Sequence, residues 1–146
     1  MNILVEGPDA TGKSSFIKTL IIKNHIVLHL TKNTPDVTEG PKFYNNKTNT
    51  IFDRGIISNY LYSKIFKDTN APTLKEVESV LKKMDLIIIC LPENKEKYLK
   101  HFESVKNTRL EDYNNMEAIY DSYLDFYNRI CDDYNVIRYD IFRDFI

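Results

Sequence analysis

Five short apolar runs rich in β-branched residues, at Asn2–Glu6, His25–Leu30, Asn49–Asp53, Leu86–Leu91 and Val136–Asp140, alternate with longer stretches of helical periodicity. That alternation is the pattern of a parallel β-sheet crossed by helices, and it excludes all-helical and all-strand architectures. The run Leu86-Ile-Ile-Ile-Cys90 has no polar alternation, as a strand covered on both faces requires, so it belongs near the sheet centre. With 146 residues, 42% of them hydrophobic, the chain is expected to bury roughly two thirds of its unfolded surface in one domain, residues 1–146.

Helices are predicted at Lys13–Lys23, at Gly55–Phe66, from Thr73 to the residue before Asp85, at Glu93–Val105 and at Asn115–Tyr134. Thr73 and Glu76 form a T-x-x-E capping pair behind Pro72. In the last helix Met116, Ile119, Tyr120, Tyr123, Phe126, Tyr127 and Ile130 recur at three-and-four spacing, which marks a core-facing stripe. Thr31–Lys47 and Asn107–Asn114 carry no period, and loops of that length in a compact domain are often functional.

Cys90 and Cys131 lie outside any short metal-ligand spacing, so neither a disulfide scaffold nor a zinc module is expected. Twenty basic against 21 acidic residues, a net charge of -1, argue against a broad basic surface for extended nucleic acid. No apolar run approaches the roughly 18 residues of a membrane span, and the start lacks the regions of a signal peptide. A cytoplasmic setting is expected.

Gly7-Pro-Asp-Ala-Thr-Gly-Lys-Ser14 satisfies G-x-x-x-x-G-K-[ST] between a predicted strand and a predicted helix. The glycines let the backbone wrap so that successive N–H groups point inward at phosphates. Gly7, Asp9, Ala10, Thr11, Gly12, Lys13, Ser14 and Ser15 therefore form the expected nucleotide-contact set, with Lys13 reaching the β- and γ-phosphates and the Ser14 hydroxyl facing Mg²⁺. Asp53 closes an apolar strand, which in an open α/β sheet puts it beside that loop as a further Mg²⁺ or acceptor contact. Arg54 can fork two donors onto a phosphate.

In these residues the chain resembles the thymidylate kinases. Glu6 to Ser14 is similar to their phosphate loop, and Asp53, Arg54, Ser58 and Tyr62 fall in the register of their Asp-Arg motif with its following Ser and aromatic. Asp85–Pro92 looks like their fourth strand, Val136–Asp140 suits their fifth, and Arg109-Leu-Glu111 resembles the end of their lid, a segment at about 93–114. The resemblance implies a three-layer α/β P-loop kinase fold, a five-stranded parallel sheet flanked by helices, with ATP and Mg²⁺ as cofactors. It also implies that Asp9 holds the acceptor's 3′-hydroxyl, Arg54 its monophosphate, and Tyr62 crowds the ribose 2′ position. Asn59 would lie near the base and Ser58 in the same acceptor site. Lys13, Asp53, Arg54 and Arg109 would be the catalytic set, and Ser14 and Asp53 the metal contacts.

The chain also departs from that family. Only 40 positions separate Lys13 from Asp53, fewer than the family uses for its acceptor-site helices. The insertion is reduced to Thr31–Thr48, where Phe43 and Tyr44 are the only aromatics that could stack on a base. Gly55 replaces the aromatic after Asp-Arg, and Lys32 stands nearest to a missing arginine. Lid charge would have to come from Lys106 or Arg109.

The expected activity is ATP-dependent phosphorylation of a deoxynucleoside monophosphate, dTMP-like, to the diphosphate. One alternative is a deoxynucleoside kinase, whose hydroxyl acceptor needs a general base. Related kinases place a carboxylate after the second strand, where this chain has His29-Leu-Thr-Lys32, which leaves Asp53 for that role. Another is a nucleotide-binding regulator or degenerate kinase. The expected partners are small nucleotides, with no membrane and no extended nucleic acid, and a homodimer is compatible with the sequence. Lys outnumbers Arg 15 to 5 and Asn occurs 14 times, a bias that suits AT-rich coding and a pared-down viral enzyme in its host's cytoplasm.

Overall fold

A computed structural model of the chain describes residues 1–20, 22–31, 34–67, 71–106 and 110–144, without the side chains of 38, 106 and 110–114. Lys32 and Arg109 lie outside the described residues, as do the lid side chains at Lys106 and Glu111.

All five strands form where the apolar runs predict: β1 (Ile3–Glu6), β2 (Ile26–His29), β3 (Thr50–Asp53), β4 (Leu86–Cys90) and β5 (Val136–Tyr139). They make one sheet in the order β2-β3-β1-β4-β5, with every pairing parallel. Ile3 of the central β1 faces Ile51 on one side and Leu86 on the other. From β1 the chain crosses towards β2, and from β3 it crosses the opposite way to β4. The crevice between the carboxyl ends of β1 and β3 is thus the switch point where ligands bind in such sheets.

The period of two divides the strand side chains between two layers. Ile3, Val5, Ile51, Ile88 and Cys90 face α1 (Lys13–Thr19) and pack on Phe16, Ile17 and Leu20. Leu4, Phe52, Ile87 and Ile89 face the larger layer, which comprises α3 (Ile56–Phe66), α4 (Leu74–Leu81), α5 (Lys95–Lys106) and α6 (Leu110–Ile130). The aromatic stripe of α6 belongs to this core, with Tyr120, Tyr123 and Phe126 all buried. The Thr73 capping box closes as expected, Glu76 N–H donating to Thr73 Oγ1 (3.2 Å) and Thr73 N–H to Glu76 Oε1 (3.0 Å).

Several boundaries differ from the sequence expectation, α4 for one ending at Leu81 rather than at the residue before Asp85. α1 stops at Thr19, because the N–H of Leu20 turns back onto the Ile17 carbonyl (3.0 Å) and Ile22 packs on the sheet from the following turn. α6 begins at Leu110 and ends at Ile130, so Tyr134 reaches the core from a turn. The unassigned stretch after β2 holds a short α2 (Pro35–Glu39) and a 3-10 turn at Gly40–Tyr44. A last helical turn, α7 (Ile141–Asp144), follows β5.

That 3-10 turn explains Gly55. Tyr44 is buried against Phe52 with ring centroids 5.0 Å apart, and a Cβ at position 55 would lie 2.5 Å from its hydroxyl and 3.1 Å from Leu4 Cδ1. The space next to Arg54 is filled from the 3-10 turn, so no side chain fits at 55. Gly55→Ala is expected to cost about 1–3 kcal/mol through overpacking, read as a lower urea midpoint. Adding Tyr44→Phe, which removes the clashing hydroxyl, should return most of the loss.

Candidate active site

The loop Gly7–Ser14 joins β1 to α1 at the switch point. Gly7 has φ +150° and Gly12 φ +74°, and Ala10 takes φ +60°. The Thr11 hydroxyl, buried, donates to the Pro8 carbonyl at 2.8 Å and closes the loop from within. From outside, the Tyr98 hydroxyl of α5 donates to the Asp9 carbonyl at 2.6 Å. Both bonds leave the loop's N–H groups for a ligand while tying its carbonyls to protein.

Parallel register brings Val5, Asp53 and His29 into one row, so β3 delivers Asp53 beside the loop. Lys13 Nζ stands 3.5 Å from Asp53 Oδ1, with both side chains about 10% exposed. His29 Nδ1 lies 2.6 Å from Asp53 Oδ2. Oδ1 is buried and has no hydrogen-bond partner. A carboxylate oxygen that carries no hydrogen bond, with the Ser14 hydroxyl that the loop sequence supplies next to Lys13, suits a small cation that arrives with a nucleotide, since Mg²⁺ is commonly held by one or two protein oxygens plus phosphates and water. Among the described residues no cluster of three or more His, Cys, Asp or Glu could hold a metal unaided.

Asp53 and Arg54 do not pair with each other. Arg54 has φ +68°, a left-handed conformation that costs a non-glycine residue of order 1–3 kcal/mol and is concentrated at functional sites. Its N–H donates to the Val5 carbonyl at 2.8 Å, and its guanidinium turns across the crevice to pair with Asp9. The guanidinium also lies 5.8 Å from the ring centre of Tyr62. Burial is the main cause pushing the Tyr62 phenol up to about 12, so at neutral pH this is a cation over a neutral ring.

Beneath Arg54 lies a network that sequence reasoning missed. Glu6, fully buried at the end of β1, accepts the Ser58 N–H at 3.1 Å, the Ser58 hydroxyl, and the Tyr123 hydroxyl at 3.3 Å. Ser58 is thereby committed to the protein interior. Asn59 points elsewhere and donates to the buried Asp36 of α2 at 3.0 Å. Phe43 packs on Tyr44, and the Lys47 amine sits 4.8 Å from its ring centre. The structure therefore gathers Asp9, Lys13, Asp53, Arg54 and Tyr62 at one crevice, and engages Phe43, Tyr44, Ser58 and Asn59 with other parts of the chain. Glu6 carried the same signal as Asp53, an acidic residue closing an apolar strand. His29 and Tyr98 carried none, because their contacts arise from strand register and helix packing.

Burial raises the Glu6 carboxyl above its ordinary 4.5, against the opposing pull of the Ser58 hydrogen bonds and the charges of Arg54 and Lys13. The folded chain therefore keeps this proton to higher pH than the unfolded chain. The stability it contributes is complete below about pH 4.5 and falls as pH rises through the raised value. Glu6→Gln should flatten that decline, measured as urea midpoints from pH 4 upward.

No protein-family model and no curated protein matches the chain. Its backbone superposes on solved structures with a TM-score of 0.78 for the YorR protein of Bacillus subtilis in complex with phosphorylated GDP, at 18% identity over 98% of this chain and 87% of that one. A deoxyadenosine kinase from M. mycoides gives 0.66 with dCMP and dCDP bound, at 17% identity over 99% and 92%. The same enzyme with dATP gives 0.61, at 16% identity over 99% and 93%. The chain shares with these structures a P-loop kinase fold, a five-stranded parallel sheet flanked by helices. In this P-loop kinase fold the described helices include none long and apolar enough to cross a membrane.

Proposed function

We propose that the chain transfers the γ-phosphoryl group of ATP to a deoxynucleoside monophosphate, with dTMP the first acceptor to test. The observation that carries this reading is Arg54. A left-handed backbone and the Asp9 pair hold its guanidinium at the mouth of the phosphate loop, where an acceptor phosphate would lie in line with the donor.

The loop amides and Lys13 bind and orient the donor phosphates, and Arg54 aligns the acceptor's anionic oxygen, which needs no general base. Asp9 accepts the 3′-hydroxyl, and the ring of Tyr62 walls the site. Ser14 and Asp53 Oδ1 would hold Mg²⁺. Bound with the nucleotide, that ion supplies charge neutralisation at the transferring group.

The test is ADP formation from MgATP across a panel of ribo- and deoxynucleoside monophosphates and deoxynucleosides. Release that rises only with a monophosphate supports the proposal, and release that is equal with and without every acceptor overturns it. Arg54→Ala should raise the acceptor KM at least tenfold, since a charged hydrogen bond contributes about 1.5–3 kcal/mol, while ATP binding changes little. A deoxynucleoside acceptor is the second reading. It is favoured by Asp53, a carboxylate fixed beside the loop that could take a hydroxyl proton, and by the likeness to deoxyadenosine kinase.

A further inference from the structure

We infer that His29 is a positioning residue for the divalent-cation site, holding one oxygen of Asp53 so that the other is presented to the cation. The inference rests on the reading of Asp53 as that cation's carboxylate. His29 and Asp53 are register partners on adjacent parallel strands, which forces their side chains onto the same face as neighbours. A carboxylate only accepts, so the 2.6 Å contact has His29 Nδ1–H donating to Oδ2.

The two oxygens of Asp53 therefore differ. Oδ2 is taken, whereas Oδ1 is buried, lacks a hydrogen-bond partner, and faces Lys13 Nζ at 3.5 Å. The terminal torsion of an aspartate is broad, so the side chain itself has little preference for the angle at which it presents an oxygen to the crevice. The imidazole supplies that preference. Partners that orient a metal ligand typically contribute 10–100-fold in metal affinity. The His29 side chain is 69% exposed, which puts the expected effect at the low end, about tenfold.

The probe is Mn²⁺, followed by its electron paramagnetic resonance signal, with the full chain and a non-hydrolysable ATP analogue. His29→Ala should weaken Mn²⁺ binding to the protein–nucleotide complex about tenfold, with analogue binding in EDTA unchanged. His29→Asn, whose Nδ2 can stand where the imidazole Nδ1 stands, should restore affinity to within about threefold. Wild-type Mn²⁺ affinity in His29→Ala, or no recovery in His29→Asn, overturns the inference.

Asp53→Asn separates the two levels of failure. If it loses Mn²⁺ while His29→Ala does not, only the role of His29 falls. If it binds Mn²⁺ as the wild type does, or if the wild type binds no metal–nucleotide complex, the reading of Asp53 falls and the inference with it.

Discussion

Replacing Lys13 by methionine is expected to lower phosphoryl transfer by about 10³-fold or more, because an ammonium aimed at transferring phosphates acts where charge builds up and water is excluded. The structure adds a second consequence. Lys13 is the cation facing Asp53 Oδ1, an oxygen with no other partner, so Lys13→Met leaves a largely buried charge uncompensated on that side. A stability loss of about 1–3 kcal/mol follows. The double variant Lys13→Met with Asp53→Asn should recover most of that stability and none of the activity. This split between denaturation midpoint and kcat distinguishes a catalytic lysine from one that merely neutralises Asp53. Activity within tenfold of wild type in Lys13→Met would remove the loop from the chemistry.

The largest expected loss of stability is at Gly7. A Cβ there would sit 2.3 Å from the Cys90 carbonyl oxygen and 3.0 Å from Cys90 Cβ. Both belong to the closing residue of a buried strand, so they cannot swing away as a flexible side chain could. The backbone at Gly7, with φ +150°, is also one that side chains rarely adopt. Overpacking and backbone strain each contribute about 1–3 kcal/mol, so Gly7→Ala should cost about 3–5 kcal/mol. At 2–4 °C per kcal/mol for a chain of this size, the thermal midpoint should fall by roughly 10 °C. Nucleotide binding should fail in parallel, because relieving the clash means lifting the loop off β4. A Gly7→Ala chain that melts within 2 °C of wild type would show that the loop is not seated against that strand.

Much of this architecture was legible from residue order. Each strand lies within an apolar run, and the Thr73 box starts its helix where the spacing of Thr73 and Glu76 requires. Elements declared by local chemistry, β-branched runs and capping pairs, need no knowledge of the partner. The acceptor side was less legible. α2 and the 3-10 turn have too few residues for a period to show, and Tyr44 is buried by a contact with Phe52 and the backbone at Gly55 that only tertiary packing creates. The commitment of Ser58 to Glu6 and Tyr123 was likewise invisible, because those three residues come from β1, α3 and α6.

The position of β1 has a consequence for how the molecule assembles. The central strand precedes both of its partners in the chain, and its ladders wait for residues near Ile51 and Leu86. Ile3, Leu4 and Val5, at most 1% exposed in the finished fold, have no strand partner until most of the sheet has been made. Contacts so distant in sequence slow folding and leave apolar strands open to mispairing. The phosphate loop inherits that dependence, since Gly7 rests on Cys90 and Arg54 bonds to Val5. Its shape therefore depends on β1, β3 and β4 being joined, and a nucleotide that binds only the joined form stabilises it by mass action.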